Sequence, residues 1–261
     1  MKIELLTQDD PLYILPFFEE FFQYYASEFQ ILQVSSSRAM GKRSRFQLLR
    51  ELTYLYGLLG MAKVAAEILS SRVLGLIPRG RDAGTFHTLA QLCRAYRVPY
   101  RIIGSPNDKE FLQETRERQA DLIVSVACPY ILKEQLLNLP PRGCINIHHA
   151  PLPRYKGMMP TFWQMYHGEK KVGLTVHYMA AKVDQGAALL QEQLEIKPGE
   201  PLHHLIRRSK RHGAHCMARV LKQIEVGTQQ TMTLSQCEGS YFTFPSANEI
   251  REFHQRGLRA I

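Results

Sequence analysis

The chain has 261 residues, of which 45% are hydrophobic and 22% charged, enough apolar content for one large packed domain and too much for a disordered one. Five scattered cysteines with no CxxC spacing, and a start interrupted by Asp9 and Asp10, argue against a disulfide framework and a secretory leader, so a cytoplasmic protein is expected. A net charge of +9 suits an anionic partner, whether nucleic acid, nucleotide sugar or polyanionic folate, without choosing among them.

Taken in chain order, residues 3–6 read as a strand and residues 11–25 as a helix with Leu15, Phe18 and Phe22 on one side. Residues 31–34 form a second strand, followed by a Ser/Gly loop crowded with Arg38, Lys42, Arg43 and Arg45. Residues 46–69 follow as a long helix. Its stretch 52–69 is apolar enough to raise the question of a membrane span, but Gly57, Gly60, Lys63 and Glu67 make it read as a buried helix, and no membrane association is expected. Residues 85–97 (helix), 100–103 (strand), 108–118 (helix), 122–127 and 144–147 (strands) continue the alternation, and 122–127 is apolar enough to be covered on both faces. Such alternation predicts an α/β fold: an open, mostly parallel twisted sheet of the Rossmann-like type, binding ligands beyond the C-terminal ends of its strands. No GxGxxG follows the first strand and no GxxxxGK occurs, which disfavours dinucleotide and phosphate-loop chemistry.

Beyond residue 147 the texture changes. Pro151, Pro153, Gly157 and Pro160 punctuate a loop, and then come a short helix (161–167), two strands (173–179 and 187–196) and a long closing helix (200–224). Residues 1–229 are expected to form the catalytic domain and 230–261 a short extension packed on it.

The chemistry concentrates at the end of the strand 144–147. Ile145 and Ile147 alternate with Asn146 and His148, so period-two pleating projects the last two to one side, about 7 Å apart. An amide N–H can bond an oxyanion and an imidazole can carry a proton, which suits acyl transfer. The pair alone could equally satisfy loop backbone groups, and Asp184, within Lys182-Val183-Asp184-Gln185-Gly186, could be an ordinary turn residue.

The ordered set Asn146-Ile147-His148, Leu152-Pro153-Arg154-Tyr155-Lys156-Gly157, Gly173-Leu174-Thr175-Val176-His177 and Asp184-Gln185-Gly186 resembles the folate-dependent formyltransferases. That family includes methionyl-tRNA, glycinamide ribonucleotide and sugar N-formyltransferases. The resemblance is strongest over residues 120–196. It implies that Asn146 and His148 bracket a formyl carbonyl and that Asp184 holds His148 in a useful protonation state. It also implies that Pro129, Tyr130, Ile131 and Leu132, with the turn Ala180, Ala181, Lys182 and Val183, wrap the pterin of 10-formyltetrahydrofolate. Three positions depart from the family pattern: His149-Ala150 where a Ser commonly follows, Gln185 after the Asp, and Ala180 where an acid is common.

The implied activity is formyl transfer to a small amine acceptor, an anionic part of which Arg38, Lys42, Arg43, Arg45 and Arg154 would contact. A tRNA acceptor is less favoured, because the tRNA enzyme carries a further C-terminal domain and only residues 231–261 follow Gln230. A formyl-folate hydrolase would use the same three central residues, and a binding module without turnover is the third alternative. The adjacent His203 and His204, and His212 with His215 at helical spacing, read as surface-helix residues, since no carboxylate or cysteine is clearly placed beside them, and no metal is expected.

Overall fold

The structure is a computed structural model describing residues 1–37 and 45–261. The loop residues Arg38, Lys42 and Arg43 lie outside the described residues, as does the side chain of Arg45.

β1 (Lys2–Gln8) buries Ile3, Leu5 and Leu6 completely, as a strand covered on both faces must. α1 (Leu15–Tyr25) starts with a proline in its first turn, where the missing N–H is unneeded, and buries Phe17, Phe18, Phe21 and Phe22. β2 (Gln30–Ser37), α2 (Arg45–Leu74), α3 (Leu89–Ala95), β3 (Tyr100–Ile103), α4 (Lys109–Arg118), β4 (Leu122–Val126), α5 (Glu134–Leu137) and β5 (Cys144–His148) complete the first half. The second half contains β6 (Lys156–Gly157), α6 (Pro160–Tyr166), β7 (Lys171–Tyr178), β8 (Ala188–Glu195), α7 (Leu202–Val226), β9 (Tyr241–Phe242) and α8 (Ala247–Gln255).

Among the described residues the main sheet has seven strands in the order β3-β2-β1-β4-β5-β7-β8. Its first five are parallel, and β7 and β8 add an antiparallel edge. The open, mostly parallel sheet expected from the strand–helix alternation is therefore present. The chain runs outward from β1 to β3 and returns to β4, which puts a topological switch between β1 and β4 and a crevice at the strand ends there.

The main core joins the aromatic face of α1, the sheet and the apolar stripe of α7 (Ala214, Met217, Val220, Leu221, Ile224). A second cluster lies under α6 and α8, where Phe162 stacks on Phe253 at 4.7 Å. Residues 241–242 pair with 156–157 as a short parallel ladder, and Ser246 starts α8 with a capping box to Glu249.

The stretch 52–69 is not the buried helix that its composition suggested. α2 breaks at Gly57, which adopts φ +67°, and among its described side chains a narrow stripe (Leu55, Gly60, Val64, Ser71) turns inward. Leu58 and Leu59 are 81% and 84% exposed, and Leu69 and Val73 also face outward. An apolar run with residues on all sides of the helix does not specify which side packs, so composition misjudged its burial. Its part Leu49–Leu74, of mean hydropathy 1.3, is long and apolar enough to cross a membrane by length and composition.

Candidate active site

β5 sorts its side chains as the alternation requires. Ile145 and Ile147 enter the main core, while Asn146, half-buried, and His148, 8% exposed, turn to the other face. His148 Nε2 lies 2.8 Å from the Tyr155 carbonyl oxygen. A carbonyl only accepts, so this nitrogen carries the proton and donates it. Nδ1 is left facing Asp184 Oδ2 at 3.7 Å, an ion-pair separation rather than a hydrogen bond.

Asp184 comes from the turn between β7 and β8, with φ +51°, a conformation that a non-glycine residue holds only when its surroundings impose it. Two glycines impose it. Gly157, at φ +93°, donates its N–H to Asp184 Oδ2 at 3.4 Å, and a Cβ there would fall 2.3 Å from the Phe242 carbonyl oxygen. A Cβ on Gly186 would fall 1.7 Å from the Tyr178 carbonyl oxygen, so the turn folds this tightly onto β7 only with glycine. Both glycines belong to the segments on which the family resemblance rests.

His177 belongs to the same cluster, and the reading of the sequence gave it no role. In the antiparallel pairing Asn146 faces His177 and His148 faces Thr175, so period two puts all four on one face. That register was the available signal, but it exists only once β7 is known to run against β5. His177 Nδ1 donates to the Tyr178 carbonyl at 2.8 Å, leaving Nε2 to accept from Asn146 Nδ2 at 3.3 Å. Burial lowers the His177 pKa, outweighing the Tyr178 bond and nearby Asp184, which work the other way. A neutral His177 orients the amide and leaves the second amide hydrogen of Asn146 for a ligand. Thr175 donates to the Ala150 carbonyl at 2.7 Å and accepts from Leu152 N–H at 3.1 Å, tying down the loop after β5.

His149, one residue on, points the opposite way. Its Nδ1 meets Ser209 Oγ at 2.9 Å, and its pKa is held well below the usual value by burial, then by Lys210, His148 and His212. Of two adjacent histidines, one joins Asn146 and Asp184 and the other belongs to the core.

The segments expected to wrap a pterin converge beside β5, where Leu132 and Cys144 share a cluster against which Cys128 and Met179 pack. Pro129, Ile131, Ala180, Ala181, Lys182 and Val183 are exposed and Tyr130 half-buried, whereas the Leu132 side chain is used by the core and leaves only backbone for a ligand. Arg154 is half-exposed and pairs with Glu169 at 3.0 Å. Two cavities, of about 420 Å³ beside α2 and α8 and of about 470 Å³ around Tyr96, are lined by no residue of this cluster. The helix histidines do have acidic partners: His212 meets Glu192 at 2.7 Å and His215 meets Glu20 at 2.8 Å.

The sequence profile described as "Formyl transferase" matches residues 88–221. The chain belongs to the folate-dependent formyltransferase family. It is 37% identical over 131 residues to the methionyl-tRNA formyltransferase of Syntrophus aciditrophicus (strain SB), covering 50% of this chain and 42% of that one. The chain thus spans about half the length of the curated relatives it matches. Its fold is that of glycinamide ribonucleotide transformylase 1 from Symbiobacterium toebii, with TM-score 0.61, 14% identity, and coverage of 90% and 94% of the two chains. It is also that of an N-formyltransferase from Helicobacter canadensis solved with folinic acid and dTDP-3-aminofucose, with TM-score 0.60, 14% identity, and coverage of 100% and 84%. The family match begins at residue 88, so it includes Asn146, His148, His177 and Asp184 and leaves out α2 and the basic loop.

Proposed function

We propose that the chain transfers the formyl group of 10-formyltetrahydrofolate to the amine of a small anionic acceptor. The observation that carries this reading is the convergence of the Asn146 amide, the Nδ1 face of His148 and the Asp184 carboxylate at the open end of β5. The acceptor nitrogen attacks the formyl carbon, and the carbonyl electron pair moves onto oxygen, where the free N–H of Asn146 stabilises it. His148 Nδ1 takes the proton released by the attacking nitrogen, while Asp184 offsets the charge of the imidazolium and Tyr155 keeps the ring oriented. Collapse of the adduct breaks the bond from carbon to N10, and His148 returns the proton there, releasing a formamide and tetrahydrofolate. The exposed residues Pro129, Ile131 and 180–183, with half-buried Tyr130 among them, suit a flat, hydrogen-bonding pterin, in line with the folinic acid bound by the Helicobacter canadensis neighbour.

Turnover settles the reading. The protein is incubated with 10-formyltetrahydrofolate and, in turn, a nucleotide-linked amino sugar, glycinamide ribonucleotide or methionyl-tRNA, while tetrahydrofolate and formate are followed. Tetrahydrofolate release at least about 100-fold above the acceptor-free rate with one of the two small amines is expected. Acceptor-independent release with stoichiometric formate would make the protein a hydrolase, and stimulation by the tRNA alone would replace the small acceptor.

A further inference from the structure

On the far side of the β7–β8 edge from His148, a second cluster has no part in formyl transfer. His212 and Cys216 stand four residues apart on α7 and so share one helix face, and β8 brings Glu192 to meet them. Glu192 Oε2 is 2.7 Å from His212 Nε2 and 3.2 Å from Cys216 Sγ, and the sulfur is 3.6 Å from the same His212 nitrogen. One atom from each of three ligand types therefore lies within 4.8 Å of the others. Arg219 pairs with the other carboxylate oxygen, Oε1, which leaves Oε2 turned to the cluster.

We propose that Glu192, His212 and Cys216 form a site for a divalent transition metal of the zinc class. A tetrahedral zinc ion with ligand distances of about 2.3 Å to sulfur and about 2.0 Å to nitrogen or oxygen separates a sulfur–nitrogen pair by about 3.5 Å and a nitrogen–oxygen pair by about 3.3 Å. The sulfur–nitrogen pair already stands at that separation, and the nitrogen–oxygen and sulfur–oxygen contacts need to open by about 0.6 Å and about 0.3 Å. The carboxylate has that freedom, since it is 25% exposed. Cysteine buried at the back, with His212 and Glu192 half-buried, gives three protein ligands and a fourth position toward solvent for water. On binding, the ion replaces two protons, the one that Cys216 Sγ donates to Glu192 and the one that His212 Nε2 donates to the same oxygen; the thiol proton goes to solvent and the imidazole proton moves to Nδ1, which frees the Nε2 lone pair for the ion. The ion would pin β8 to α7, whose Gly213 packs against Ile147 and His149 behind the catalytic histidine. The sequence concealed this site because its carboxylate sits on a different element from the histidine and the cysteine.

The test uses chelator-treated, reduced protein with exposed Cys237 replaced by Ser, titrated with Co²⁺ and followed by absorption spectroscopy. One equivalent should bind with a thiolate-to-cobalt charge-transfer band and the visible bands of a tetrahedral ion. Cys216→Ser should abolish the charge-transfer band, and His212→Ala or Glu192→Ala should each weaken binding at least about 100-fold, beyond the cost of losing an outer partner of a ligand. In the otherwise unmodified chain, Zn²⁺ should protect Cys216 from alkylation, read by mass spectrometry, and raise Tm by mass action. A band that survives Cys216→Ser, absence of any thiolate–cobalt band, or an alkylation rate indifferent to Zn²⁺ would overturn the proposal.

Discussion

Asn146, His148 and Asp184 hold different parts of the proposed reaction, and their variants should fail in the same observable. Asn146→Ala removes the oxyanion donor, His148→Ala the proton carrier, and Asp184→Asn the charge beside Nδ1. Each is expected to lower kcat by at least about 100-fold with the far-ultraviolet circular dichroism unchanged. Near-normal kcat in His148→Ala would remove the proton-transfer role. His177→Leu should cost less, about 10-fold in kcat with folate KM held, because His177 acts through Asn146, whose amide it orients, rather than on the reacting atoms. An unchanged kcat in that variant would separate His177 from the site. The shared face of Asn146 and His148 was legible in sequence because strand alternation is local, while their role came from the family resemblance. The position of Asp184 was not, since it depends on Gly157 and Gly186 letting two distant turns close on it.

At the scale of elements, what the sequence disclosed tracks how local the determining physics is. β1 and β4 announce themselves as buried runs, and α7 by its apolar stripe, whereas α2 is apolar all round and its packing is set by whichever neighbours arrive. The structure makes a sharp distinction within α2. Leu55, fully buried in the second cluster, should cost about 2–4 kcal/mol when cut to Ala, lowering Tm by at least about 5 °C at this chain length. The double substitution Leu58→Ser with Leu59→Ser should stay within about 2 °C of the parent, since both side chains face outward. Thermal unfolding of the two variants side by side decides it. An equal loss in both would mean that Leu58 and Leu59 are covered in the folded protein.

Across the whole molecule, buried titratable groups make stability depend on pH, in two opposing senses. His149, His177 and His203 all have pKa values lowered first by burial. In the unfolded chain they take up protons as pH falls through about 6.5, while the folded protein keeps them neutral, so their contribution to stability is present above that pH and lost below it. Glu4, Asp10 and Glu19 act in the other direction. Burial raises their pKa values, the fold binds their protons more tightly than the unfolded chain does, and acidification through that raised range favours the folded state. A Tm profile of the parent chain alone would mix the two. His149 separates them, because it is 5% exposed, bonds Ser209 through Nδ1, and has no partner at Nε2 among the described residues, so protonation would put an uncompensated charge in the core. From about pH 7.5 to about pH 5.5 a histidine that must stay neutral costs up to about 1.4 kcal/mol, equivalent to about 3–5 °C in Tm for a chain of this size. His149→Gln can keep a bond to Ser209 and has nothing to titrate. Whatever its Tm at neutral pH, it should lose about 3 °C less than the parent over that interval in differential scanning calorimetry. Parallel profiles for the two proteins would mean that His149 protonates in the folded state, and the steepness on the acid side would then belong to the other histidines with lowered pKa values, His87, His177 and His203.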